Sequence, residues 1–253
     1  MSSPVETSAW FPNVRFRPEA RLRLFCFPYA GGGGHIYRNW QAGLPPDIEV
    51  CPVQLPGRGS RLGEPGFRNM PALTEALARV VGPRLDRPFA LFGHSMGGII
   101  AFELTRALRR TSGRQPAHLF VSGCSAPHIP DEEAPTFDLP EAEFIEKLRS
   151  INGTPAEVFD HPELLQMMLP LLRADFELVE TYAYVPGEPL ACPITAIGGL
   201  KDEDVTREKL EAWREHSTAA FSLRMLPGGH FFVNTEQASI HRMLAQGLSP
   251  HIT

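Results

Sequence analysis

The sequence has no apolar run approaching the roughly 18 residues that a membrane-spanning helix requires. Its start, Met1-Ser2-Ser3-Pro4-Val5-Glu6, has neither the basic stretch nor the apolar stretch of a secretory leader. Positive charge is not in excess: 24 Lys and Arg stand against 29 Asp and Glu, a net charge of -5, which leaves no electrostatic footprint for nucleic acid. Lysine is scarce, with only Lys147, Lys201 and Lys209. Cysteine is scarce too. Cys26, Cys51, Cys124 and Cys192 lie far apart, each in an apolar stretch, with no CxxC pair. Reduced thiols buried in strands are expected. There is no internal repeat, no low-complexity tract and no run of like charges. His35, His118, His128, His161, His216, His241 and His251 have no partner at metal-ligand spacing such as HExxH, so no metal is expected. No Gly-Lys-Ser/Thr follows a glycine loop, and no GxGxxG turn with its distal acid occurs, which removes the phosphate-loop and dinucleotide readings. The expectation from these absences is a cytoplasmic chain with no cofactor, no nucleic-acid partner and no membrane contact.

What remains is an ordinary globular balance, 43% hydrophobic and 21% charged over 253 residues. That length is near the upper edge of what one core organises, so residues 1–253 are read as a single domain. Short apolar runs rich in β-formers alternate with longer helix-like stretches, the pattern of an α/β fold with a mostly parallel sheet flanked by helices. Strands are expected at Leu22–Phe27, Ile48–Val53, Phe89–Phe92, Leu119–Gly123, Ile194–Gly198 and Ser222–Leu226. Helices are expected at Met70–Leu85, Gly98–Arg110, Arg207–His216 and Thr235–Leu244. In the first of these, Leu73, Leu77, Val80 and Val81 fall on one face. Residues 130–189 break the rhythm. After Ile129-Pro130-Asp131-Glu132-Glu133 come helix-like segments at Glu141–Arg149, Pro162–Leu169 and Leu171–Tyr184, with no strand signal. A loop of this length without structure is rare in a compact domain, so a helical insertion acting as a lid is expected.

The sharpest local signal is Gly93-His94-Ser95-Met96-Gly97, which follows Phe89-Ala90-Leu91-Phe92 and precedes Ile99-Ile100-Ala101-Phe102-Glu103-Leu104. Strand, sharp turn and helix are the context of a G-x-S-x-G nucleophile elbow. The glycines let strand and helix pack closely, and Ser95 would sit at a helix N-terminus, where backbone N–H groups favour developing negative charge. A serine hydroxyl needs a base that a third group orients, in the chain order Ser, Asp/Glu, His for this fold. His230, in Leu226-Pro227-Gly228-Gly229-His230, supplies the base. Asp202, in Gly198-Gly199-Leu200-Lys201-Asp202-Glu203-Asp204, supplies the orienter. Asp204 competes for that role from the same loop. His94, inside the elbow, is expected to pack or hydrogen-bond rather than act as base. For the oxyanion, one backbone donor should be Met96, after the nucleophile. The other should be Ala30, in Phe27-Pro28-Tyr29-Ala30-Gly31-Gly32-Gly33-Gly34. These residues describe a serine acyl hydrolase.

Four motifs together carry a more specific resemblance: Phe27-Pro28-Tyr29-Ala30-Gly31-Gly32, Gln54-Leu55-Pro56-Gly57-Arg58, Gly93-His94-Ser95-Met96-Gly97-Gly98 and Gly228-Gly229-His230-Phe231-Phe232. The chain resembles the type II, editing thioesterases of polyketide and nonribosomal peptide synthesis, members of the α/β-hydrolase superfamily. The likeness runs from about Leu24 to Phe232 and includes Pro170-Leu171-Leu172-Arg173-Ala174-Asp175 and Glu180-Thr181-Tyr182 within the insertion. It implies the same triad of Ser95, Asp202 and His230, the same oxyanion donors, and a helical lid over an acyl chamber. The family's aspartate is usually followed by proline, whereas Glu203 stands here, and Asp204 therefore remains in contention.

The resemblance also implies the partner, an acyl or peptidyl carrier protein bearing phosphopantetheine, from which aberrant or stalled acyl groups are cleared through a Ser95 acyl-enzyme. Such carriers are typically acidic and this chain is acidic as well, so docking would need a local basic patch, for which Arg58, Arg61 and Arg68 are the first choice. The arginines Arg106, Arg109, Arg110 and Arg114 are read as solvent-facing cations near a helix C-terminus. Phe144, Leu148, Met167, Met168, Leu172 and Phe176 are the apolar residues of the insertion that could line the chamber, although core residues share their spacing. A monomer is the default. The alternatives are a small-molecule esterase or lipase-like hydrolase acting on oxygen esters, a binding module that has kept a hydrolase scaffold, and a chain-terminating thioesterase of the kind fused to synthases.

Overall fold

A computed structural model describes residues 9–252 apart from 13, 15, 132, 152, 154 and 155. The initial Met1–Glu6 stretch and Glu132, both used above, lie outside the described residues. The described residues form six parallel strands in the order β2-β1-β3-β4-β5-β6. The strands are β1 (Leu22–Phe27), β2 (Ile48–Pro52), β3 (Phe89–His94), β4 (His118–Ser122), β5 (Ile194–Gly199) and β6 (Phe221–Leu226). Parallel pairing demands crossover connections, and the helices that make them cover both faces of the sheet. Hence β1, β3, β4 and β5 are buried along their whole length. Side-chain alternation sorts β1 between two cores: Phe25 and Phe27 pack on one face, Leu22, Leu24 and Cys26 on the other. The α-helices of five residues or more are α1 (Met70–Val81), α2 (Met96–Ser112), α3 (Glu141–Ile151), α4 (Pro162–Glu180), α5 (Arg207–Glu211) and α6 (Gln237–Leu248).

Local chemistry accounts for the boundaries. The α1 N-terminus is capped by the Asn69 side chain, which accepts from Ala72 N at 3.1 Å, with Pro71 in the first turn. It ends where Gly82 and Pro83 tighten the chain into a 3-10 turn, shorter than the helix expected to Leu85. The C-terminus of α2 is closed by Gly113 at φ +67, a left-handed cap whose N–H reaches Arg109 O.

The insertion between β4 and β5 differs from expectation at one point. Pro170 was expected to separate two helices, yet α4 runs unbroken through it. A proline in a helix interior removes one backbone hydrogen bond and crowds the preceding turn. Here Pro170 is exposed, and the helix carries through because its opposite face is held by tertiary packing. Leu165, Leu169 and Leu172 join Phe144, Leu148 and Val158 in a satellite core, with Met168 and Phe176 packed against it, while Leu178 enters the main core. Met167, considered with them, faces away and is 52% exposed.

Cys26 and Cys51 lie in β1 and β2, whereas Cys124 and Cys192 flank strands; all four are free and buried. No helix among the described residues is long and apolar enough to cross a membrane.

Candidate active site

The loops after β1, β3, β5 and β6 leave the same carboxyl edge of the sheet on either side of β4, and they converge where the rings of His94 and His230 lie 5.4 Å apart. This is the edge at which open parallel sheets place their ligands.

Ser95 occupies the junction of β3 and α2 at φ 53, ψ -120, and it alone among the described non-glycine residues has a positive φ. Such a conformation costs about 1–3 kcal/mol and persists only where the surroundings impose it. They do so here. Ser95 N donates to Ser122 O at 2.7 Å and Gly98 N to Ser95 O at 2.8 Å. The elbow glycines leave no room for a side chain: a Cβ on Gly93 would stand 1.9 Å from Gly97 O, and one on Gly97 would stand 2.2 Å from Phe27 O.

His230 and Asp202 meet through a second close approach. Lys201 N donates to Gly228 O at 2.9 Å and Leu200 N to Leu226 O at 2.8 Å, which stitches the loop after β5 to the loop after β6. Gly199 permits this, since a Cβ there would lie 2.6 Å from Gly229 O. His230 Nδ1 then donates to Asp202 Oδ2 at 2.8 Å. Asp202 Oδ1 accepts from Val205 N at 3.1 Å and Asp204 N at 3.2 Å. The Asp202 side chain is 1% exposed and that of His230 is 21% exposed. Burial raises the Asp202 carboxyl, but the hydrogen bond and charge of His230 and the two loop amides outweigh it and hold the group below its ordinary value. Asp204 is exposed and gives His230 nothing; its amide serves Asp202 instead.

His94 is fully buried. Its Nδ1 shares a hydrogen bond with Ser122 Oγ at 2.9 Å, and its ring lies 5.4 Å from that of His230. Burial, then repulsion from His230, push its pKa down to about 3, so it is neutral and packs.

In the glycine loop most amides are already engaged. Gly31 N donates to Asp175 Oδ2 at 2.7 Å, Gly32 N to Tyr29 O at 2.9 Å, and Gly34 N to Gln54 Oε1 at 3.1 Å. Ala30, between Tyr29 and Gly31, is half-buried beside them. Met96 is the first residue of α2 and is buried.

Arg58 and Arg61 do not form a docking patch. They are 5% and 7% exposed. Arg58 makes a two-pronged ion pair with Asp175, both contacts at 2.7 Å. Arg61 binds Glu64 and Gln54 O and covers the Trp10 ring. Arg68 pairs with Glu177. Arg106, Arg109 and Arg114 donate to the carbonyls of Val185, of Glu188 and Pro189, and of Leu85. The sequence signals a role for Arg58 through its motif but not its direction, because the partner lies 117 residues away.

Phe144, Leu148, Met168, Leu172 and Phe176 are gathered in the insertion, where the Phe144 and Phe176 rings meet edge to face at 5.4 Å. Two contacts join that insertion to the site. Leu172 Cδ2 lies 2.7 Å from where a Gly31 Cβ would be, and Phe231 Cζ lies 2.4 Å from where a Gly153 Cβ would be. A separate cleft of about 540 Å³ lies at the β2 edge of the sheet, lined by Arg17, Tyr37, Arg38 and Glu49 among others; it contains none of the residues that approach Ser95.

Residues 22–246 match the family model described as a thioesterase domain. The chain is 47% identical to the protein named linear gramicidin dehydrogenase LgrE of Brevibacillus parabrevis, across 98% of this chain and 95% of that protein. Among solved structures it is similar to RedJ, a thioesterase from the prodiginine biosynthetic pathway in Streptomyces coelicolor, with a TM-score of 0.85 and 40% identity over 95% of this chain and 99% of that one. It is likewise similar to YbtT, a type II thioesterase from the yersiniabactin NRPS/PKS biosynthetic pathway, with a TM-score of 0.84 and 30% identity over 94% and 97% of the two chains.

Proposed function

This chain belongs to the thioesterase family as an α/β-hydrolase of the type II, editing kind found in nonribosomal peptide and polyketide pathways, and from that premise we propose that it hydrolyses acyl groups from the phosphopantetheine arm of acyl or peptidyl carrier proteins through an acyl-enzyme on Ser95. The observation that carries the reading is the 2.8 Å contact of His230 Nδ1 with buried Asp202, on loops beside a serine held at φ 53.

An ionised Asp202 can only accept, so His230 carries its proton on Nδ1 and leaves Nε2 free as a base. Nε2 takes the Ser95 proton as Oγ attacks the thioester carbonyl carbon. Negative charge develops on the carbonyl oxygen, and the Ala30 and Met96 amides stabilise it. The C–S bond then breaks, and the departing sulfur takes the proton from the His230 imidazolium. Water, deprotonated by the same Nε2, cleaves the Ser95 ester, releasing the acid and restoring the hydroxyl. The helices α3 and α4 form a lid on this site, with Leu172 against Gly31 of the glycine loop, while Phe144, Leu148, Met168 and Phe176 pack within the insertion's own core.

One relative is named a dehydrogenase, but this chain has no GxGxxG turn, and its glycine-loop amides are committed to Asp175, Tyr29 and Gln54. The test offers acetyl, propionyl and decanoyl groups on a carrier protein, on pantetheine and as oxygen esters, with intact mass as the readout and Ser95→Ala alongside. Ser95-dependent release that is fastest from the carrier is expected. Turnover of oxygen esters with the carrier ignored would make the protein a small-molecule esterase.

A further inference from the structure

The ion pair between Arg58 and Asp175 is among the most buried features of the molecule, with side chains 6% and 2% exposed. Its hydrogen bonds run into the loop after β1. Asp175 Oδ2 accepts both Gly31 N and Arg58 Nη1, each at 2.7 Å. The same Nη1 donates to Gly32 O at 2.8 Å. The Gly31 N–H belongs to the peptide unit joining Ala30 to Gly31, and Gly32 O begins the next unit but one, so backbone on the C-terminal side of Ala30 is held at two points. Gly31 sits at φ +75, where a side chain would be strained, and Leu172 closes over it from the same helix that carries Asp175.

A buried ion pair is a weak source of stability, since an apolar pair of similar volume often serves the fold as well. Its value here is geometric. An oxyanion donor must stand within a few tenths of an ångström of its target, and flexible glycines do not hold such a position unaided.

We propose that Asp175, locked by Arg58, is a positioning residue that sets the Ala30 amide for the oxyanion, so that α4 of the insertion and the glycine loop form one catalytic unit. The proposal rests on the assignment of Ser95 and Ala30 made above. Neither Arg58 nor Asp175 touches the acyl group; both act through Gly31 and Gly32. The acceptor at Asp175 therefore belongs to turnover rather than to substrate binding.

The test uses the full-length chain carrying Arg58→Met together with Asp175→Leu, which removes both charges and fills the space. The single variants Asp175→Asn and Asp175→Ala stand beside it in case the double variant does not fold. Rates on acetyl-pantetheine thioester are measured together with the inhibition constant of an acyl trifluoromethyl ketone, whose adduct with Ser95 carries the oxyanion. The expected result is a fall in kcat of about 10- to 100-fold with KM within about threefold, inhibitor affinity weakened by the same factor, and Asp175→Asn, which keeps an acceptor oxygen, closer to wild type than Asp175→Ala. A folded double variant with kcat within about threefold of wild type overturns the proposal, as does a loss of kcat that leaves inhibitor affinity unchanged. If the double variant does not fold, equal activity in Asp175→Asn and Asp175→Ala overturns it. Wild-type hydrolysis that survives Ser95→Ala overturns instead the assignment on which the proposal rests.

Discussion

Asp202 divides its carboxylate between His230 and the backbone: Oδ2 faces His230 Nδ1 at 2.8 Å, while Oδ1 accepts the amides of Val205 and Asp204 at 3.1 and 3.2 Å. The backbone contacts fix the carboxylate in space, and the carboxylate fixes the imidazole. Replacing Asp202 with Asn should lower kcat by about 10³- to 10⁴-fold, because the amide lets the imidazole adopt the wrong tautomer. Asp204→Asn should change kcat less than about threefold, since the Asp204 contribution is its main-chain N–H. Parallel kinetics of the two variants on one thioester make the check.

The approach of the loops after β5 and β6 depends on a glycine, Gly199. Gly199→Ala places a methyl 2.6 Å from Gly229 O and forces the loops after β5 and β6 apart. A loss of about 10- to 100-fold in kcat is expected, with circular dichroism at ordinary temperature unchanged. Retention of full activity would mean that the loops can separate without disturbing His230.

Strain at Ser95 has a thermodynamic signature. Ser95→Ala keeps a Cβ at φ 53 and should leave stability near wild type, whereas Ser95→Gly relieves the crowding at that dihedral angle. The glycine variant should be more stable than the alanine variant by about 1 kcal/mol, after allowing for the greater freedom of glycine in the unfolded chain. Urea titrations of the two inactive proteins, compared with each other, measure it.

Three histidines make the fold acid-sensitive. His94 is held neutral with a pKa of about 3, and His118 and His216 with pKa values of about 4, in each case chiefly by burial. Unfolding returns them to about 6.5. The folded pKa values are depressed, so below 6.5 the unfolded chain binds more protons, and stability falls as pH drops from about 6.5 toward 4. Near pH 5 the slope from these groups should be about 4 kcal/mol per pH unit. His118→Gln should reduce that slope by about a third, read from denaturant melts at several pH values.

The parts of the molecule that the sequence makes legible are those punctuated locally. The β strands were recognisable to within a residue or two because a sheet buried on both faces requires nearly continuous apolar runs, as at Leu24–Phe27. Ser95 stands out because Gly93 and Gly97 bracket it, both at close backbone approaches, and His230 because Gly228 and Gly229 precede it on the loop after β6. The sequence favours Asp202 yet leaves Asp204 in contention, since what distinguishes them is the direction of one side chain within a single turn. Arg58 was misread for a related reason: an arginine in a Pro-Gly loop looks exposed until α4 arrives with Asp175. Pro170 misled in the opposite sense. A local breaker was overridden by the apolar face of Leu165, Leu169 and Leu172, a long-range effect that no short window contains.

The burial of the cysteines bears on the company this protein keeps. Every turnover on a pantetheine thioester liberates a free thiol beside further activated acyl groups, a mixture in which an accessible thiolate would exchange acyl chains or form mixed disulfides. Cys26, Cys51, Cys124 and Cys192 are all enclosed, and burial pushes the last two up to about 12. All four thiols are thereby kept apart from any thiol released in solution.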